Sequence, residues 1–262
     1  MIDTHATINA GSQPEGTYWH FLAEDCRLGY DDGRKVVVGE TLRVDETPIL
    51  CKRGFHASQR AIDALRFARG PIVCLVTLGG TVLNETKQSI SDKSVAQERT
   101  VLWMYNASNL LRHFACDVAE VALLAERKAG REPDARSFAV IEVMRRFMRG
   151  EASDSEWAIA DTAADTAAAN ARISAWTATG NAVKSGASVS TSAKGIAWGI
   201  SASARTAANA GARIAAWAAA GDTVRASVHN VDSGVSNYRL TRMLLSVMAQ
   251  GKGEFGSSNT QK

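Results

Sequence analysis

The chain has 262 residues, 45% of them hydrophobic and 22% charged. This ordinary composition argues for a buried core and against wholesale disorder, a collagen-like fibre or a membrane bundle. The net charge is only +3, from 30 basic and 27 acidic residues, so no global field calls for nucleic acid as a partner. No apolar run approaches the ~20 residues that span a bilayer, and MIDTHATINAGSQPEG has neither a basic flank nor an apolar core. A cytoplasmic protein with no membrane partner is expected.

Cys26, Cys51, Cys74 and Cys116 lie far apart with no Cys-x-x-Cys pair, which signals neither a disulfide framework nor a zinc finger. His20, Cys26, Cys51 and His56 form a loose set that lacks the tight spacing of metal sites, so reduced thiols and no metal are expected. Residues 1–16 read as a flexible N-terminus and residues 17–105 as a small α/β domain with a mixed sheet.

Within that domain TYWHFL is a strand by its alternation, and YDDG is a turn leading to a second strand, RKVVVGETLRV. ILCKRGFHAS reads as a strand followed by a turn. SQRAIDALRFARG is a helix with Ser58 as its cap, an apolar side through Ala61, Ile62, Leu65, Phe67 and Ala68, and a stop at Gly70-Pro71. PIVCLVTLGGTVL, nearly continuous in apolar residues, is a central strand buried on both faces. ERTVLWMY closes the domain as its last strand.

Residues 106–150 hold two amphipathic helices. The first is capped by Asn106 or Ser108, carries Leu110, Leu111, Phe114, Val118, Val121 and Leu124 at helical spacing, and ends at Gly130. The second is capped by Asp134, turns Val140, Val143, Met144, Phe147 and Met148 inward, and ends at Gly150. Arg145, Arg146 and Arg149 suit the C-terminal end of its dipole and read as a solvated helix end.

Residues 151–250 are rich in Ala, Ser, Thr and Gly and repeat themselves: ARISAWTATGNAVKS from Ala171 matches ARIAAWAAAGDTVRA from Ala212, with Trp176 over Trp217. Trp198 and Trp157 mark weaker copies. All four prolines precede Asp134, and alanine recurs every fourth residue (Ala163, Ala167, Ala171, Ala175), so helical hairpins are expected; GASVSTSAKGIAWGIS, alternating at a period of two, keeps a β-solenoid as the rival. The tryptophans read first as packing residues and otherwise as an aromatic ladder for a partner. Residues 251–262 read as a frayed tail. The fold class is thus α+β, a small sheet domain followed by helices and an Ala-rich repeat.

The chemistry-bearing residues sit in three segments of the sheet domain: YWHF with His20, GFHAS with His56 and Ser58, and QERTVLW with Glu98. Their order, with RGFHASQRAIDALRFARGPIVCLVTLGG between, resembles the ADP-ribosyltransferase superfamily over about Thr17 to Trp103. The resemblance implies an NAD cofactor, with His20 and His56 holding nicotinamide and ribose, Ser58 at the cofactor site, and Glu98 as the catalytic carboxylate. A carboxylate beside an anomeric carbon favours an oxocarbenium-like state. Tyrosine is absent at the second position, where His56 is similar to the RNA 2′-phosphotransferase branch, and basic residues for the pyrophosphate reduce to Lys52, Arg53 or Arg60.

The wider layout, with YWHF, CKRGFHAS, Asp92-Lys93 and the Ala and Trp array, resembles a family of bacteriophage and prophage proteins without an assigned activity. That resemblance implies residence in a bacterial host cytoplasm and action on a host component. Two functions follow: an ADP-ribosyltransferase-like or nucleotide-binding protein, or a non-catalytic interaction protein that meets a protein partner or itself through the repeat.

Overall fold

The computed structural model describes residues 12–29, 32–84, 92–128, 130, 132, 135–156, 158–160, 162–163 and 233–255. Six strands form one sheet: β1 Thr17–Leu22, β2 Thr41–Arg43, β3 Phe55–Ala57, β4 Ile72–Asn84, β5 Ser94–Asn106 and β6 Glu254–Phe255. Four named helices join them: α1 Ala61–Arg66, α2 Ser108–Lys128, α3 Ala135–Met148 and α4 Ser233–Ala249. The α+β class stands. The sheet is antiparallel in every pairing among the described residues rather than mixed. No helix among them is long and apolar enough to cross a membrane.

The sheet follows the path β1-β4-β5-β2, and β5 also pairs with β3 and β6. Its outer edge is covered piecewise by three short segments, β3 against Ser94 to Ala96, β2 against Glu98 to Thr100 and β6 against Trp103 and Met104. Covering an edge in this way leaves no long row of unpaired backbone groups for another chain to extend. Beyond β3, Ser58 exchanges backbone bonds with Trp19 of β1, at 2.7 Å and 2.9 Å. The pairings β1-β4-β5-β3 therefore return to β1, and this circuit brings His20 and His56 together.

Two strand readings shorten and one lengthens. RKVVVGETLRV yields only β2, because the Val36 amide bonds the Cys26 carbonyl at 2.8 Å and the Gly39 amide bonds Val101 at 2.8 Å, which holds the stretch as a loop over the sheet. ILCKRGFHAS yields only β3, preceded by a tight turn closed by Ile49 and Arg53 amides and carbonyls at 2.8 Å and 2.9 Å. The last strand begins at Ser94 rather than at Glu98.

Chain contacts divide the protein into Met1–Leu110 with Asn237–Lys262, and Leu111–Ser236. In the first unit, Trp19, Phe21, Val73, Leu75 and Trp103 are at most 1% exposed and line one face of the sheet. Of the residues read as a frayed tail, those up to 255 are held in this unit. The Trp103 indole donates to the Lys252 carbonyl at 2.9 Å, β6 pairs with β5, and a Cβ on Gly253 would meet the Met104 carbonyl at 2.6 Å. α4 adds a helical stripe of buried Leu240, Leu244, Leu245 and Met248, and Asn237 caps the Ile62 amide at 3.2 Å. The N-terminal reading also gives way at its end, where Gln13 accepts from the Trp19 indole at 2.7 Å.

In the second unit, α2 from Leu111 and α3 bury Ala115, Cys116, Val140, Ile141 and Met144 against one another. Asn106 proves to be the cap of α2, accepting from the Ser108 amide at 3.0 Å. α3 ends as read at Gly150, whose φ of 75° is open to glycine without strain, with Gly150 and Glu151 amides bonding the Phe147 and Arg146 carbonyls. The three arginines read as a solvated end are held by carboxylates: Arg145 by Asp117 and Glu120, Arg146 by Glu156, and Arg149 by Glu151. Residues 154–156 and 158–160 are helical. Trp157, the matched segments with Trp176, Trp198 and Trp217, and the Asp134 cap lie outside the described residues.

Candidate functional site

Opposite residues of an antiparallel pair share a face, and successive residues of one strand alternate between faces. His20 of β1 stands opposite Cys74 of β4, Tyr18 opposite Val76, and Arg99 of β5 opposite both Leu78 and Leu42. These residues share the face that buries Cys74, Val76 and Val101. Glu98 stands opposite Gly79 and Arg43 on the other face. Its Oε1 pairs with Arg43 Nη2 at 2.7 Å, and a Cβ on Gly79 would lie 3.2 Å from its Oε2.

Of the residues singled out in the sequence, His20 and His56 are brought together and Glu98 is not. The His56 backbone carbonyl is where the cluster meets. Arg99 Nη1 donates to it at 3.1 Å. The His20 ring also bonds the His56 backbone, and because that bond favours the protonated ring, the ring N–H donates to the carbonyl.

His56 itself is clamped by its own turn. Its Nε2 accepts from the Cys51 amide at 3.0 Å, while a ring bond to the Gly54 backbone favours the charged form and so has Nδ1–H donating to that carbonyl. Cys51 adopts φ 61°, a conformation uncommon outside glycine, and the ring acceptor supplies the partner that holds its amide there. His20 is held well below its ordinary value near 6.5, first by burial and then by the Arg99 charge and by His56. His56 is also lowered, first by burial and then by Lys93 and Arg99. Both rings are neutral at neutral pH.

Arg99 is the deepest charge of the group at 2% exposure. Burial pulls its guanidinium down from 12.5 to about 10, so it stays a cation at neutral pH, and it lies 5.3 Å from the centroid of the Phe55 ring. Asp32 favours the charge from a distance, but that carboxylate is engaged by Arg34 Nε and Nη2 at 2.7 Å and 2.8 Å. Arg99 Nε and Nη2 have no hydrogen-bond partner. Cys74, on the same face, is a buried thiol pushed up to about 12 by burial, and so is not a nucleophile at neutral pH.

Ser58 is 2% exposed and joined to Trp19 through its backbone. It does not cap α1: the N-cap position falls to Arg60, without a side-chain bond, because the bridge to β1 holds Ser58 in extended backbone. Among the described residues no group of three His, Cys, Asp or Glu is placed to hold a metal ion. The loose set of His20, Cys26, Cys51 and His56 joins through the Cys51 amide and not through its sulfur.

Arg99 went unmarked in the sequence reading. The signal was present: in ERTVLWMY, Arg99 shares the parity of Val101, so a cation heads a row of core-facing residues. Comparison of the chain with family models, with curated proteins and with solved structures gives no match in any of the three.

Proposed function

We propose that the sheet unit is a nucleotide-binding module that takes a phosphate-bearing ligand of the NAD class beside His20, His56 and Arg99. The observation that supports this reading is a buried guanidinium with two unengaged N–H groups, next to two neutral imidazoles. A buried cation without an ionic partner carries a desolvation cost that an anionic ligand offsets. The aromatic and imidazole surroundings add planar surfaces suited to a base or a nicotinamide ring.

Ribosyl transfer through Glu98 does not belong to this reading, since that carboxylate is paired with Arg43 on the opposite face. An interaction role through the Ala and Trp repeat rests on residues outside the described ones. Calorimetric titration of the full chain with NAD and with ADP-ribose tests the proposal. Binding of either ligand without labelled transfer to protein or nucleic acid is the expected result. Absence of binding by both defeats it, while transfer that disappears in Glu98→Gln returns the argument to catalysis.

A further inference from the structure

We infer that the Nε and Nη2 edge of Arg99 is an anion subsite, built to receive two oxygens of one phosphate group. The inference deepens the nucleotide-binding reading, and rests on it for phosphate as the source of the oxygens. Several observations carry it. Arg99 is 98% withdrawn from solvent by its 2% exposure, yet Nε and Nη2 remain without a partner. Nη1 is fixed on the His56 carbonyl at 3.1 Å, which sets the plane of the guanidinium.

The aromatic ring of Phe55, also approached by Arg34 at 5.6 Å, supports that plane from the side. Of the neighbouring rings, His56 uses its two nitrogens on Cys51 and Gly54, and His20 directs its N–H to the His56 backbone. Asp32, the carboxylate with a favourable field at Arg99, is taken by both forks of Arg34. What is left is one preoriented pair of donors carrying one positive charge, the geometry that matches a bidentate oxyanion. His20 and His56 beside it are only partly buried.

The test uses the full chain labelled with ¹⁵N on arginine, in a chloride-free buffer at neutral pH, with inorganic phosphate, ADP-ribose and acetate as separate probes. The Arg99 Nε–H resonance is assigned by its loss in Arg99→Lys and in Arg99→Met. Phosphate and ADP-ribose are expected to move that resonance to saturation, and Arg99→Met to weaken phosphate at least tenfold while far-UV circular dichroism stays unchanged. Should Arg99→Met not fold, Arg99→Lys, which keeps the charge but not the two-pronged edge, is expected to show the same loss.

A resonance that no probe moves overturns the inference, and so does one that acetate moves and phosphate does not. The nucleotide reading fails separately. Phosphate that saturates Arg99 while NAD and ADP-ribose show no calorimetric binding upholds the subsite and removes the nucleotide. ADP-ribose that binds without moving the Arg99 resonance does the reverse.

Discussion

Arg145 in the helical unit stands between Asp117 and Glu120, at 3.0 Å and 2.7 Å, and joins α2 to α3. Its guanidinium is pushed further up by hydrogen bonding to Glu120, against the opposing effect of burial and with help from Asp117. Arg99 in the sheet unit is more deeply withdrawn, yet has one backbone carbonyl and an aromatic ring, and is pulled down to about 10. The helical unit satisfies its internal charge with its own carboxylates. The sheet unit has a carboxylate on the next residue, Glu98, and strand alternation sends it to the opposite face. One arginine is a brace, and the other is a donor left open.

The two units also divide their cores, and this gives the largest expected effects. Trp103 is fully buried and donates to Lys252, so Trp103→Ala should cost about 3–5 kcal/mol. Met144→Ala, emptying the centre of the α2 and α3 packing, should cost about 2–5 kcal/mol. Hydrogen exchange read by peptide separates them. Trp103→Ala should raise exchange in β5, β4 and α4, and Met144→Ala in residues 111–148. Identical exchange patterns from the two variants would show that the division has no energetic counterpart.

A second comparison uses protons. His20 and His56 have folded-state values below the ordinary 6.5, so the unfolded chain binds more protons near that pH and folding stability rises with pH there. Their contribution is present above about pH 6.5 and is lost as pH falls from that point through the folded values. The limiting slope is about 1.4 kcal/mol per pH unit for each ring. Urea midpoints at pH 7.5, 6.5 and 5.5 should fall progressively, and His20→Gln should flatten the decline. An unchanged slope in that variant would place the proton uptake elsewhere.

Much of this arrangement was legible in the residues. The alternation of TYWHFL and the apolar run of β4 marked two strands correctly, since side chains on buried strands follow the pleat. Helical spacing and the terminal glycines marked α2 and α3. What escaped was set by contacts distant in sequence. Val36 to Gly39 has strand composition, but its amides go to Cys26 and Val101, and local propensity cannot see those partners. GKGEF is polar and glycine-rich, yet Trp103, 149 residues away in the chain, holds the Lys252 carbonyl. His20 and His56 were singled out and do meet. Glu98 was chosen beside them by its place in the chain, while parity along β5 assigns the shared face to Arg99 instead.

The smallest effects come from exchanging each arginine for methionine, and there the sign matters more than the size. Removing Arg145 leaves Asp117 and Glu120, neighbours on one face of α2, without their common cation. Those carboxylates are partly solvated, so Arg145→Met should destabilise by about 1 kcal/mol, and added salt should reduce the loss. Removing Arg99 abandons no carboxylate; it releases one backbone carbonyl that His20 still engages, and substitutes apolar volume beside Val101 and Phe55. Burying a charge is costly, and its replacement by an apolar side chain of similar length is commonly neutral or favourable. Arg99→Met should therefore leave the ligand-free protein equally stable or raise its urea midpoint. The comparison is broken if Arg99→Met costs as much as Arg145→Met, because Arg99 would then be bracing the sheet through its carbonyl and ring contacts alone. It is sharpened if phosphate then stabilises the wild-type chain and Arg145→Met but not Arg99→Met, since stabilisation by a ligand follows its binding to the folded state.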